Sequence, residues 1–239
     1  MRQTLIAALL ATAALPAAAQ ELTAEEVKRL ALEAILENPE VVMEAIGILQ
    51  EREAAEAAAQ AQAALESSGD LLTADPNAPV LGNPDGDVTV VEFFDYNCPY
   101  CRRAGPEVAG LLEADGNVRV VYREWPILGE ASVFAARAAL ASREQGLYEE
   151  FHEAMMAAEA RLGEAQVMQI AEEVGLDTDR LRTDMEAPAV QAHIDTSMEL
   201  ARSLGFSGTP SFVVGDQMAP GLVETDQLID MVEAAREGG

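Results

Sequence analysis

Only two cysteines and two histidines occur among the 239 residues. A disulfide framework needs several cysteine pairs, so disulfides do not hold this fold together. A compact zinc module needs four clustered ligands, and His152 and His193 are too widely separated to complete one with the cysteines. Basic residues are scarce as well. Lysine and arginine total 15 against 42 aspartates and glutamates, for a formal net charge of −27. Such a surface repels phosphate backbones and anionic lipid, which excludes nucleic acid as a partner. Otherwise the charge is read as a solvated acidic surface. Long apolar runs are also missing. The uncharged run Leu5 to Leu15 is too short to cross a bilayer of ~30 Å as a helix.

What is present is a chain able to build a substantial core, 49% of it hydrophobic, with room for one catalytic domain and a smaller accessory segment. Its first residues read as an export signal. Arg2 supplies the positive start, Pro16 ends the apolar run, and Ala17-Ala18-Ala19 offers the small residues a signal peptidase reads. The expectation is cleavage after Ala19 and, in a bacterium, a periplasmic protein.

Residues 20–68 read as an N-terminal helical segment. Thr23 and Glu26 have capping-box spacing, and Val27, Leu30, Ala31, Ala34 and Ile35 recur on one helical face. Asn38-Pro39 marks a break, with Asn38 expected as N-cap of a second helix whose stripe is Val42, Ile46 and Leu49. Glu51 to Ala64 is rich in helix formers and poor in bulk, so it reads as a spacer ending in a flexible joint at Ser67-Ser68-Gly69-Asp70. Two short helices cannot bury such stripes alone. Self-association is the expected solution, and packing on the catalytic domain the alternative.

Residues 69–239 form the main domain. An irregular lead-in (71–87) precedes a buried strand at Val88–Phe94, a helix at Pro99–Ala114 and a second strand at Val118–Tyr122. That order predicts a parallel pair joined by a right-handed crossover. Residues 131–204 are helical in pattern; strands follow at Ser211–Val214 and Gln217–Val223, then a helix from Thr225 to about Arg236. The predicted fold is α/β, a sheet interrupted by a large helical insertion.

Both cysteines lie in Cys98-Pro99-Tyr100-Cys101. Bridging them closes a four-residue loop, worth only about 2 kcal/mol by chain-entropy arithmetic, so the pair is a poor staple. It is well placed as a redox switch. At the mouth of a helix, Cys98 meets unpaired amides and the positive end of the helix dipole, which favour the nucleophilic thiolate. Pro99 suits the first helical turn because it has no amide hydrogen to leave unpaired. Cys101, three residues on, lies on the same helical face and can resolve a mixed disulfide formed at Cys98. Tyr100 brings an amide and aromatic bulk but no charge. His152 and His193 read as packing or surface residues, and Met155-Met156 as helix packing. No cofactor is required.

The run Val91-Glu92-Phe93-Phe94-Asp95-Tyr96-Asn97-Cys98-Pro99-Tyr100-Cys101-Arg102-Arg103 closely resembles the active-site strand and turn of DsbA-like thiol–disulfide oxidoreductases. Glu124-Trp125-Pro126-Ile127-Leu128-Gly129 and Gly208-Thr209-Pro210-Ser211-Phe212 resemble two further segments of that family, so the likeness covers about residues 75–236. It implies a thioredoxin fold with an inserted helical domain. It also implies that Pro210 is a cis-proline facing the cysteines and that Thr209 contacts substrate backbone, with its hydroxyl near the thiolate. Glu92 matches the family's acidic residue beneath the site, where burial favours its protonated form and a relay to Cys101.

With its N-terminal helices, the chain is similar to the subgroup around suppressor-of-copper-sensitivity protein C and the Com1-type antigens, some of which assemble as trimers. That resemblance implies an oligomeric isomerase acting on misfolded exported proteins and kept reduced by a membrane partner. The alternatives are a monomeric DsbA-type oxidase and a thiol protein holding Cu(I).

Overall fold

A computed structural model describes residues 22–238. The expected export signal and its cleavage point lie outside the described residues. The first helix, α1 (Ala24–Glu37), opens with the predicted capping box: the Thr23 side chain accepts from the Glu26 amide, and Glu26 answers the Thr23 amide. Asn38 does something other than predicted. Its side chain donates back to the Ala34 carbonyl at 3.0 Å, closing the C-terminal end of α1, and α2 begins at Glu40. Three residues of spacing cannot tell a cap for the next helix from one for the last.

The second helix, α2 (Glu40–Ser67), is continuous, and two compact units divide the chain within it, between Glu53 and Ala54. In the first unit the whole predicted stripe, including Val27, Leu30, Ile35, Val42, Ile46 and Leu49, is exposed. In the second, Ala61 and Leu65 are buried. The expected flexible joint is packed: α3 (Gly69–Thr73) follows at once and buries Leu72. The lead-in is also more ordered than its turn residues predicted, because Val80–Gly82 forms a short strand, β1, antiparallel to β3 (Val118–Glu124).

The sheet order is β1-β3-β2-β4-β5, where β2 is Val88–Phe94, β4 is Ser211–Val214 and β5 is Gln217–Pro220. Only β2 and β3 run parallel, joined by α4 (Pro99–Ala114), as predicted. Between β3 and β4 comes the insertion: α5 (Glu130–Ser142), α6 (Tyr148–Met156), α7 (Glu164–Glu173), α8 (Thr178–Asp184) and α9 (Pro188–Ser203). The chain closes with α10 (Thr225–Gly238). Alternate residues of β2 face opposite sides of the sheet. Val90 and Phe94 join a core with α4, α10 and most of the insertion; Val91 and Phe93 join another with Leu65, Leu72 and α9. Met155 and Met156 are buried in the first core, as expected of helix packing.

Candidate active site

Because β2 is central rather than at an edge, Glu92 has no route to solvent along the sheet. It shares the face of Val90 and Phe94, toward α4, and is 2% exposed. Burial first, and then the charge of Cys98, push its carboxyl up to about 8, so it is protonated at neutral pH.

Beyond Phe94 the chain makes an Asx turn. The Asn97 amide donates to Asp95 Oδ1 at 2.8 Å and the Cys98 amide to the Asp95 carbonyl at 2.9 Å. The other carboxylate oxygen accepts from the Leu128 amide at 3.0 Å. This turn delivers Cys98 to the N-cap of α4 with extended backbone and sets Pro99 in the first turn.

The two sulfurs differ sharply. Both are free thiols; Cys98 keeps 5% of its surface exposed and Cys101 none. The Cys101 thiol, opposed by partial burial and helped by Thr209 and the amides of Cys101 and Tyr100, brings Cys98 down to about 5. Its Sγ also lies 3.2 Å from the Thr209 carbonyl. Cys101 moves the other way: burial, the bond it gives Cys98 and the nearby Glu92 hold it well above the ordinary thiol range. The Asp95 amide reaches its sulfur at 3.5 Å. At neutral pH the arrangement therefore holds one thiolate that keeps a narrow opening to solvent and one protonated thiol fully buried behind it.

The Thr209–Pro210 peptide is cis and faces Cys98. Tyr100 is 55% exposed, with the Arg103 guanidinium 5.7 Å from its ring centre. Cys98, Pro99, Tyr100, Cys101, Glu92, Thr209 and Pro210 thus converge on one site, from β2, the start of α4 and the loop before β4. Among the described residues, no group of three or more His, Cys, Asp or Glu is arranged to hold a metal.

Sequence reasoning left several neighbours without a role. His152 is the hydrogen-bonded packing residue expected, 3.0 Å from the Tyr96 hydroxyl and held down to about 4 by burial. His193 is buried too, but inside a charged cluster, with Nε2 2.7 Å from Glu124 and Nδ1 3.5 Å from Asp75. Burial opposes its charge, yet Glu124 and Asp75 raise it. Asn97 and Arg102 tie the site to the insertion. Only the Asp-x-Asn spacing before Cys98, an Asx-turn signature, hinted at any of this.

The family of DSBA-like thioredoxin domains matches residues 89–233. A thioredoxin-like oxidoreductase from Silicibacter pomeroyi has a crystal structure similar to this chain, at 66% identity and a TM-score of 0.70, covering 71% of this chain and 98% of that one. Proteus mirabilis ScsC in a transitional conformation is 31% identical with a TM-score of 0.68, covering 91% and 98%. The Na(+)/H(+) antiporter NhaA 3 of Salinispora tropica is 33% identical over 168 residues, 69% of this chain. The match spans only 26% of that antiporter.

Proposed function

This chain belongs to the family of DsbA-like thioredoxin domains, and on that premise we propose that it is a periplasmic disulfide isomerase whose copies assemble through their N-terminal helices. The observation that carries the chemistry is Cys98 at the N-cap of α4, held near 5 with a protonated Cys101 three residues on. Cys98 attacks a substrate disulfide, one substrate sulfur leaves as a thiol, and a mixed disulfide forms. Substrate rearrangement then frees Cys98, or Cys101 displaces the substrate and closes the Cys98–Cys101 bridge. The mixed disulfide removes the Cys98 charge that helps to keep Glu92 protonated, and in its ionised form Glu92 accepts the Cys101 proton as that sulfur attacks. The loop at Thr209-Pro210 presents backbone to an extended substrate segment, and Pro99 and Tyr100 complete the approach.

Assembly is supported by the exposed stripe of α1 and α2, which contains no buried residue before Ala61. Several sites in one particle raise the effective thiolate concentration around a misfolded client. A membrane reductase is the partner that keeps the pair reduced. The mass in solution of the chain from Gln20, measured together with refolding of a scrambled disulfide substrate, tests the reading. An oligomer that unscrambles the substrate is expected. A clean monomer at micromolar concentration that only oxidises dithiols would instead make it a DsbA-type oxidase.

A further inference from the structure

The turn that carries Cys98 is sutured to a loop of the helical insertion. Asn97, immediately before Cys98, pairs with Leu162 through both ends of its side-chain amide: Oδ1 accepts from the Leu162 amide at 2.7 Å, and Nδ2 donates to the Leu162 carbonyl at 3.1 Å. Nδ2 also lies 3.3 Å from the buried Ser132 hydroxyl on α5. Arg102, in the first turn of α4, forks across three carbonyls: Nε to Tyr96 at 3.1 Å, and its terminal nitrogens to Glu159 at 3.3 Å and Ala160 at 2.8 Å. Leu162 itself is buried in the main core, so the far side of the suture is anchored.

We propose that Asn97 and Arg102 are positioning residues through which the helical insertion fixes Cys98 at the mouth of α4. The inference rests on the redox reading of the site and adds a task for the insertion. The donors around the Cys98 sulfur come from three places: the Cys101 thiol, the first-turn amides, and the Thr209 side chain across the cleft. They act together only if the turn at Asp95–Cys98 is held to a fraction of an ångström, because charge-assisted hydrogen bonds weaken steeply with distance and angle. The Asx turn fixes the local shape. Asn97 and Arg102 fix where that shape sits. Neither side chain bonds to the sulfur, so they act through the placement of Cys98 rather than on the chemistry.

The test is the pH titration of the Cys98 thiolate absorbance near 240 nm in the reduced full chain, for wild type, Asn97→Ala, Arg102→Lys and a control, Arg180→Ala. The titratable groups facing Cys98 are Cys101 on α4 and Glu92 on β2, and no variant changes either. Arg102→Lys keeps the positive charge but cannot fork over three carbonyls. Arg180 anchors the same insertion elsewhere, to the Glu144 carbonyl and Asp184. Both suture variants should raise the midpoint by roughly half a unit to one unit. Iodoacetamide alkylation at pH 4, below the wild-type midpoint, should slow about threefold to tenfold, while at pH 9, where Cys98 is ionised in every variant, the rates should converge. Arg180→Ala should leave the midpoint in place. If Asn97→Ala does not fold, Arg102→Lys carries the comparison. An unmoved midpoint in the folded suture variants, or an equal shift in Arg180→Ala, overturns the proposal and leaves the redox reading standing. A wild-type midpoint near that of free cysteine would remove both.

Discussion

The two units break the usual partition of residues in opposite directions. In the unit that ends at Glu53, apolar side chains lie in water: Leu36 is 71% exposed and Met43 69%. In the unit from Ala54 onward, charged side chains lie in the interior, with Glu92, Arg123, Glu124 and His193 all 2% exposed or less. Each inversion costs free energy and requires an explanation. The exposed stripe has no apolar partner within its own unit. The buried charges have partners inside it: Arg123 with Asp75, His193 with Glu124 and Asp75, and the Tyr148 hydroxyl donating to Glu124 at 2.7 Å. Glu92 has no such partner and takes up a proton instead. One unit is unfinished by itself, while the other has settled its own account.

The largest effects come from the inversion nearest the chemistry. Cys98→Ser should remove all measurable exchange with a disulfide substrate, because the remaining thiol, Cys101, is fully buried and held protonated. Cys101→Ser should still attack and then stall as a mixed disulfide visible on a non-reducing gel. Full turnover by Cys101→Ser would reverse the roles given to the two sulfurs. Next comes the exposed stripe. Leu30→Asp combined with Ile46→Asp should convert the assembly to monomers and cut isomerisation about tenfold or more, through loss of effective concentration. Alkylation of Cys98 should stay at the wild-type rate. An unchanged mass by light scattering in that double variant would mean the stripe is not the assembly surface, and the comparison between the units would lose its first half.

How much of this was legible depended on the range of the signal. β2, α4 and β4 have the predicted limits because a nearly continuous apolar run, a proline in the first turn and a tetrapeptide with phenylalanine and two valines act within a few residues. β3 was cut short at Tyr122 because its last two residues, Arg123 and Glu124, are charged, and partners distant in sequence, Asp75, Tyr148 and His193, make their burial tolerable. β1 and α3 were missed for a related reason. A three-residue strand exists because β3 offers it an edge, and a five-residue helix because Leu72 finds a core; neither has enough local pattern to announce itself. The redox site was readable since its parts form compact motifs. The suture was not, because Leu162 lies 65 positions from Asn97.

The buried charges give the next test. Asp75→Asn removes the carboxylate shared by Arg123 and His193 and leaves the Arg123 charge in the interior without its counter-ion. Breaking a buried pair from one side costs about 3–5 kcal/mol. The loss should appear as a lower urea midpoint, with the Cys98 titration unmoved since Asp75 does not face that sulfur. A loss within experimental error would mean that the cluster is hydrated rather than internally paired.

Glu92→Gln should have a smaller effect and the opposite sign. Folding raises the Glu92 pKa from 4.5 to about 8, so the folded protein binds more protons than the unfolded chain between those values, and stability falls as pH rises through that window. Glutamine mimics the protonated acid and has no such dependence. The two proteins should therefore match below pH 4.5, diverge from there to about pH 8, and keep a constant gap above it, with the variant the more stable. At pH 7 the gap should be on the order of 3 kcal/mol. It should narrow in the disulfide form, because the Cys98 charge that helps to raise Glu92 is then gone. Urea midpoints measured across pH 4–9 in both redox states would show the window. A difference that is flat with pH would mean that Glu92 ionises in place as an ordinary carboxyl, too weak a base to take the proton from Cys101.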